Sequence, residues 1–339
     1  MKVLCIDGGG IRGLIPARVL QEIERRTGRR TADMVDLIAG TSTGGLLACG
    51  LTRPGAGGRP MYTAKQLAQV YVIDGPTIFS RSLGKTITSA GGLTDEKYDD
   101  AGLNATLREQ LGDTRLSQAL RDLMITAYDI EGRNALFFRS ARARNDPAYD
   151  FTMVDAARST SAAPSYFEPA HVTDVAGAHT YALVDGGVFA VNPSLCAYAD
   201  LAAAGRTGEL TLMLSLGTGS ATEPIPFAKA RSWGALEWAR PIIDVVFDGV
   251  ADTTEFEASM IMRDRFIRLQ THLKEASGDL DDASAGNIAA LEREADRLIR
   301  EHTADIDRAC ELLTAPDPAP AGPAGPAAPG PAPPQPPPT

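Results

Sequence analysis

Residues 35–51 read VDLIAGTSTGGLLACGL. The apolar run Val35–Ala39 predicts a buried strand, and Leu46–Leu51 predicts the start of a helix. A glycine-rich turn between a buried strand and a helix is typical of α/β proteins with a mainly parallel sheet. In such sheets, ligands collect beyond the carboxyl ends of the strands, which is where this turn lies.

The turn contains Gly40-Thr41-Ser42-Thr43-Gly44, which fits the pattern G-x-S-x-G. Between a strand and a helix, this pattern is typical of a nucleophile elbow, which lifts a serine out of the sheet towards a cleft. The following helix adds a partial positive charge at its amino end, close to any negative charge that develops there. We therefore interpret Ser42 as a nucleophile. A Ser/Thr helix cap with glycines needed only for packing is the alternative.

Strand and helix patterns alternate over most of the chain, which predicts a mainly parallel sheet covered on both faces. Further strands are predicted at Lys2–Ile6, Leu123–Tyr128, Ala135–Arg139, Tyr181–Val184, Leu210–Leu216 and Phe266–Leu269. Further helices are predicted at Pro16–Arg26, Thr63–Val72, Met153–Ser161, Pro193–Ala203, Trp233–Phe247 and Ala285–Leu313.

Composition divides the chain into a domain at 1–315 and a tail at 316–339 that is rich in Pro, Ala and Gly. The tail cannot bury a core, so we expect it to be disordered. The net charge of −10 makes nucleic acid an improbable partner. No stretch approaches the ~18 apolar residues of a membrane-spanning helix, and the four cysteines lack metal-ligand spacing. We expect a cytoplasmic protein without a metal or another cofactor.

A second glycine-rich stretch, Cys5–Gly13, reads CIDGGGIRG and follows an apolar start. Its glycines fit G-x-G-x-x-G, the spacing of a dinucleotide-binding loop. That function requires an acid at the end of the second strand, but Asp33 and Asp36 lie at its beginning. Consecutive glycines can instead direct several N–H groups into one concavity and form an oxyanion hole. Arg12 either adds a positive charge there or supports the loop.

A serine nucleophile needs a base. The four histidines, His171, His179, His272 and His302, all lie away from the glycine-rich turns. Asp185 directly follows an apolar strand and precedes Gly186 and Gly187. We favour a Ser42–Asp185 dyad, with a triad that includes His171 or His179 as the weaker alternative. The other interpretation of Asp185 is a simple Asp-Gly turn.

Several motifs in this order resemble those of the patatin-like phospholipase family, over roughly residues 1–313. They are Asp7–Gly13, Gly40–Gly45, Ser159–Pro164, Asp185–Gly187, Asn192-Pro193, Leu214–Gly219 and Arg268–Gln270. The resemblance implies a three-layer αβα fold and metal-independent hydrolysis of lipid acyl esters by Ser42 and Asp185. It also implies an oxyanion hole at Gly8, Gly9 and Gly10 with Arg12 beside it, supported by the motif glycines Gly13, Gly40, Gly44, Gly186 and Gly187. The family often has a second asparagine where this chain has Val191.

The resemblance implies a phospholipid or another acyl lipid as substrate, met at a membrane surface. Ile78–Lys85 and Trp233–Trp238, the latter flanked by Arg231 and Arg240, combine apolar and cationic residues and are candidate surface contacts. Alternatives are an acyltransferase that uses the same serine and a non-catalytic nucleotide-binding module. Similarity to bacterial members that are switched on by cyclic nucleotides makes such a nucleotide a candidate activator.

Overall fold

The structure is a computed structural model that describes residues 1–78, 100–220, 224–238 and 241–316. Within these ranges the chain forms one mixed sheet with helices on both faces. The strands are β1 Lys2–Ile6, β2 Leu37–Gly40, β3 Asp122–Asp129, β4 Asn134–Arg139, β5 Ala170–Thr173, β6 Thr180–Asp185, β7 Leu212–Leu216 and β8 Phe266–Leu269.

The longer helices are α1 Leu14–Thr27, α2 Thr43–Thr52, α3 Ala64–Ile78, α4 Asp100–Leu111, α5 Met153–Thr160, α6 Ser194–Ala203, α7 Pro241–Met262, α8 Ala285–Glu301 and α9 Thr303–Thr314. Single turns of α-helix occur at Ser140–Ala143, Gly187–Ala190, Phe227–Ala230 and Ala235–Trp238. Turns of 3₁₀ helix occur at Gly10–Gly13, Thr31–Asp33, Ala56–Gly58, Leu116–Gln118, Pro147–Tyr149, Thr207–Glu209 and Arg263–Arg265.

The hydrogen-bonded path through the sheet is β5-β6-β3-β2-β1-β7-β8, and β4 also pairs with β3. The central strands β3, β2, β1, β7 and β8 are parallel, whereas β4 and β6 run antiparallel to β3. All five residues of β1 are buried, as expected for a parallel strand with helices on both sides. The predicted α/β fold with a mainly parallel sheet is confirmed.

The two faces of the sheet pack against different helices. Leu4 and Ile6 of β1 belong to the larger core together with residues of α1, α2, α5 and α8. Val3 and Cys5 point the other way and join a smaller core with residues of α6 and α7. This alternation along one strand, with a period of two residues, produces three layers.

Strand β3 brings the ends of two other strands together. β4 pairs with β3 from Met124 onwards, so β2 and β6 must share its other edge. On that edge Gly40 at the end of β2 lies opposite Ile125, and Asp185 at the end of β6 lies opposite Ala127. The carboxyl ends of β2 and β6 therefore point at each other, only two residues apart on β3.

Most predicted elements are present with shifted ends, and four differences are larger. β5 and α4 were absent from the prediction. The predicted helix Trp233–Phe247 is replaced by Ala235–Trp238 and α7. The predicted helix Ala285–Leu313 is interrupted at His302, which leaves the helical conformation with φ −106° and ψ 27° and separates α8 from α9. The tail from residue 317 onwards lies outside the described residues.

None of the helices in the described ranges combines the length and apolar character that a membrane span requires.

Candidate active site

Ser42 occupies a sharp turn between β2 and α2. Its backbone has φ 53° and ψ −124°, a conformation that is strained for any residue except glycine. A Cβ on Gly44 would lie 2.1 Å from the carbonyl oxygen of Ile6, so the turn can pass β1 only because that Cβ is missing. The Ser42 N–H donates a hydrogen bond of 2.8 Å to Thr160 Oγ1 at the end of α5. These contacts hold the serine in the geometry of a nucleophile elbow.

Asp185 is the last residue of β6 and is almost fully buried, with 1% of its surface exposed. Burial raises the pKa of this carboxyl group to about 7, although the Gly187 N–H and the Ser42 hydroxyl both act to lower it. Oδ1 accepts a hydrogen bond of 2.7 Å from Gly187 N–H. Oδ2 has no partner with standard hydrogen-bond geometry among the described residues. One carboxylate oxygen is thus fixed, and the other is available beside the serine.

Ser42 and Asp185 line the same cavity. Its volume is about 60 Å³, and the surface of its lining is mostly apolar. The lining also includes Gly9, Gly10, Ile11, Thr43, Leu46, Tyr71, Gly75, Ile78, Ser161, Ala163, Tyr166, Phe167, Phe247 and Leu280. A few polar groups at one place in an apolar cavity are typical of a site for a largely apolar ligand.

The loop after β1 contributes N–H groups to this cavity. Gly8 N–H donates to the carbonyl oxygen of Val191 at 3.0 Å, so it is already engaged within the protein. No acceptor among the described residues binds the N–H of Gly9, Gly10 or Thr43. These three residues line the cavity that contains Ser42, and their N–H groups are its candidate oxyanion donors.

Gly10 requires glycine for two reasons. Its φ of +56° is unfavourable for other residues, and a Cβ there would lie 2.1 Å from the carbonyl oxygen of Leu280. The same carbonyl accepts a hydrogen bond of 2.9 Å from Ile11 N–H. The segment around Leu280 therefore packs directly against the glycine-rich loop and fixes its shape.

Arg12 is buried, and its Nη1 donates a hydrogen bond of 3.2 Å to the carbonyl oxygen of Gly278. Burial lowers the pKa of Arg12, opposed by the negative charges of Asp248 and Asp244. The guanidinium group thus ties the glycine-rich loop to the segment that contains Leu280. The sequence left two roles open for Arg12, a positive charge near the oxyanion or support of the loop. This geometry matches support of the loop.

The other motif glycines lie at close contacts that leave no room for a side chain. Gly13 faces Thr43 and Tyr71, Gly40 faces Gly44, Gly186 faces Thr126, and Gly187 faces Phe247. Strands, helices and loops from distant parts of the sequence therefore meet closely at these glycines.

The sequence did not reveal how α5 and β8 support the site. Thr160 belongs to the motif Ser159–Pro164, but its position in that motif indicates no role. Arg268 on β8 forms an ion pair of 2.6 Å with buried Asp7 and donates a hydrogen bond of 2.9 Å to Ser215. Asp7 and Arg268 are 261 residues apart, so only the parallel pairing of β1, β7 and β8 brings them together. The sequence signals that could have indicated this ion pair are an acid beside the glycine-rich loop and a basic residue on a distant strand.

The histidines lie in other parts of the described structure. His171 is on β5, and the ring of His179 lies 3.3 Å from Asp174 in a turn. His272 pairs with Ser220 at 2.8 Å, and His302 pairs with Asp305 at 3.1 Å. Within the described ranges, no group of three or more His, Cys, Asp or Glu residues could hold a metal ion.

The proposed surface contacts are only partly within the described residues. Ile78, the first residue of one of these segments, is buried and lines the cavity. Trp233 and Trp238 stack edge to face, with ring centres 5.1 Å apart. Arg240 and residues 79–85 lie outside the described ranges.

Known proteins resemble this chain over most of its length. A family model described as patatin-like phospholipase matches residues 4–197, which include the glycine-rich loop, Ser42 and Asp185. Patatin-like protein 2 of Arabidopsis thaliana is 36% identical, over 91% of this chain and 86% of the relative. The potato (Solanum tuberosum) protein named probable inactive patatin-3-Kuras 1 is 34% identical, over 90% of this chain and 88% of the relative.

The structure of VipD from Legionella pneumophila aligns with 89% of this chain and 67% of its own, at 12% identity and a TM-score of 0.35. The chain belongs to the patatin-like phospholipase family.

Proposed function

We propose that this protein is a lipid acyl hydrolase of the phospholipase A or lysophospholipase type, with Ser42 as nucleophile and Asp185 as general base. Family membership supports lipid acyl hydrolysis in general. The observation that carries the specific proposal is the shared cavity. A strained serine, a buried carboxylate and three unengaged N–H groups line one cavity whose wall is mostly apolar.

In the first half-reaction, the Asp185 carboxylate accepts the proton of Ser42 Oγ while Oγ bonds to the ester carbonyl carbon. The carbonyl oxygen becomes an oxyanion, which the N–H groups of Gly9, Gly10 and Thr43 stabilise. When the tetrahedral intermediate collapses, the bond to the leaving oxygen breaks and that oxygen takes the proton from Asp185. The alcohol departs and an acyl group remains on Ser42.

In the second half-reaction, water replaces the alcohol. Asp185 accepts a proton from the water, whose oxygen bonds to the acyl carbon, and then returns a proton to Ser42 Oγ. The products are a fatty acid and free enzyme. The apolar residues of the cavity, such as Leu46, Phe167 and Phe247, suit the acyl chain.

The glycine-rich loop is less suited to a dinucleotide. The N–H groups of Gly8, Ile11 and Arg12 already donate to protein carbonyl oxygens. A pyrophosphate would find few free donors, whereas an oxyanion needs only two or three.

The test is to label the full chain with a fluorophosphonate and map the adduct by mass spectrometry. We expect the adduct on Ser42. In parallel, the protein is given phospholipids, lysophospholipids and acylglycerols, with and without glycerol as an acyl acceptor. Release of free fatty acid supports the hydrolase, and a predominance of acylglycerol product would indicate the acyltransferase. An adduct on another serine, or no reaction with any ester, would contradict the proposal.

The activity should depend on pH near neutrality. Asp185 can act as a base only when it is deprotonated. Because its pKa is raised to about 7, the deprotonated form predominates only above this pH. We expect kcat/KM to fall about tenfold per pH unit below pH 7 and to level off above it. The measurement is kcat/KM on a soluble ester from pH 5 to 9, in the range where the protein stays folded. A flat profile down to pH 5 would show that the base has an ordinary carboxyl pKa.

Replacing Gly10 should damage both the site and the fold. In Gly10→Ala, the added Cβ must displace the Leu280 carbonyl and strain the backbone at φ +56°. We expect kcat to fall about 10²-fold because an oxyanion donor moves. The matched control is Gly28→Ala, where φ is +68° but nothing lies within 4 Å of the added Cβ. Equal kinetics for the two variants would show that the loop does not bind the oxyanion.

A further inference from the structure

One tripeptide at the end of α5, residues 160–162, contacts both proposed catalytic residues. Thr160 Oγ1 accepts the hydrogen bond from Ser42 N–H at 2.8 Å. The carbonyl oxygen of Ala162 accepts one from Asp185 N–H at 3.0 Å. Ser161 lies between these two residues in the chain, so its position is fixed from both sides.

The Ser161 side chain lines the catalytic cavity and is about nine-tenths buried, with 9% of its surface exposed. Its hydroxyl has no hydrogen-bond partner among the described residues. A buried hydroxyl without a partner is costly and uncommon in native proteins. Ser159, two residues earlier, shows the usual arrangement, because its hydroxyl donates to the Asp155 carbonyl at 2.7 Å within the helix.

The lining of the cavity limits what Ser161 could bind. Its neighbours there are mostly apolar side chains, and Ser42, Asp185 and the three candidate N–H donors already have roles in the proposed reaction. Of the four substituents on the reacting carbon, one is Ser42 Oγ, one is the acyl chain and one is the oxyanion. The fourth is the leaving oxygen, which receives its proton from Asp185. Because Ser161 belongs to the tripeptide that contacts Asp185, this fourth substituent is the candidate partner of its hydroxyl.

We propose that Ser161 is a further catalytic residue whose hydroxyl hydrogen-bonds the leaving oxygen of the ester and, after that alcohol departs, the attacking water. This inference rests on the proposed function. The two oxygens occupy equivalent positions in the two half-reactions, so one hydroxyl serves both. Ser161 forms no covalent bond and transfers no net proton, because the proton passes between Asp185 and the reacting oxygen. Its role is to orient that oxygen towards Asp185.

The test compares Ser161→Ala with the matched control Ser159→Ala on two substrates, an alkyl ester and a p-nitrophenyl ester. A p-nitrophenolate leaves without help, so acylation by that ester should be nearly normal in Ser161→Ala. Deacylation should be slow because the water is no longer oriented. We expect a burst of about one equivalent of p-nitrophenol, followed by turnover reduced about 10- to 100-fold. Turnover of the alkyl ester should fall without a burst, and Ser159→Ala should stay within about twofold of wild type.

Two further measurements separate catalysis from structure. Removing a buried hydroxyl without a partner should leave the melting temperature of Ser161→Ala unchanged or raise it. The rate of fluorophosphonate labelling at Ser42 should stay within about twofold of wild type, because that reaction tests Ser42 and Asp185 without an alcohol leaving group. If Ser161→Ala melts early, Ser161→Cys is measured in the same way.

If Ser161→Ala turns over at the wild-type rate and shows no burst, this inference is overturned and the proposed function stays intact. Equal losses of labelling and turnover would also overturn it, because Ser161 would then act by holding Ser42 or Asp185. A wild-type protein that hydrolyses no ester would overturn the proposed function, and this inference with it.

Discussion

Ser42→Ala should reduce ester hydrolysis about 10⁴-fold or more, because no acyl-enzyme can form without Oγ. Any residual rate would come from the oxyanion donors and the cavity acting on water alone. The measurement is fatty-acid release at enzyme concentrations high enough to detect such a rate. Fluorophosphonate labelling of the variant should be abolished.

A second variant at the same position separates catalysis from folding. Ser42→Gly also lacks the nucleophile, but glycine adopts φ 53° and ψ −124° without strain. Relief of such strain is worth about 1–3 kcal/mol, so Ser42→Gly should be as inactive as Ser42→Ala and melt at a higher temperature. The nucleophile assignment fails if either variant retains more than a few per cent of wild-type turnover.

The turn at Ser42 could be predicted because its determinants are local. A buried strand, glycines that leave no room for a Cβ and a helix directly after the serine are all contained in residues 35–51. The same holds for β1 and its loop. The alternation of apolar strands with helices was sufficient to predict the α/β class and the parallel central strands.

The meeting of Ser42 with Asp185 could not be derived from spacing. It depends on β2 and β6 sharing one edge of β3, which in turn depends on β4 taking the other edge. Pairing of this kind is decided by tertiary packing, and β5, the partner of β6, gave no recognisable signal. The local pattern favoured Asp185 over the histidines because it directly follows an apolar strand, and the family resemblance implied the same pair.

The glycine-rich loop after β1 shows that sequence patterns also fail to distinguish the roles of single atoms. Three consecutive glycines look equivalent in sequence, but Gly8 N–H is engaged by the Val191 carbonyl. Val191 stands where the family often has another asparagine, and its contribution here comes from the backbone, which any residue supplies. Thr43, whose N–H joins the candidate donors, was unremarkable in sequence because its side chain is not the functional part.

Asp185→Asn should reduce kcat by about 10³- to 10⁴-fold, because an amide cannot accept the proton of Ser42. The same substitution should not destabilise the folded protein at high pH. The folded-state pKa of Asp185 is raised to about 7 from an ordinary value of 3.8, so the folded state binds this proton more tightly than the unfolded state. The charged carboxylate therefore costs stability above pH 7, by about 4 kcal/mol, and this cost disappears as the pH falls towards 4.

The neutral amide of the Asp185→Asn variant carries no such cost, so at pH 8 this variant should melt at the same temperature as wild type or higher, and the difference should shrink towards pH 5. Asp174→Asn is the matched control. Desolvation opposes ionisation of Asp174, but hydrogen bonds from the N–H groups of Ala178 and His179 outweigh it and lower its pKa. That carboxylate therefore stabilises the folded state at neutral pH, and the control should lower the melting temperature while turnover is retained. A loss of stability in Asp185→Asn at pH 8, together with wild-type turnover, would mean that Asp185 is a structural turn residue and that another group is the base.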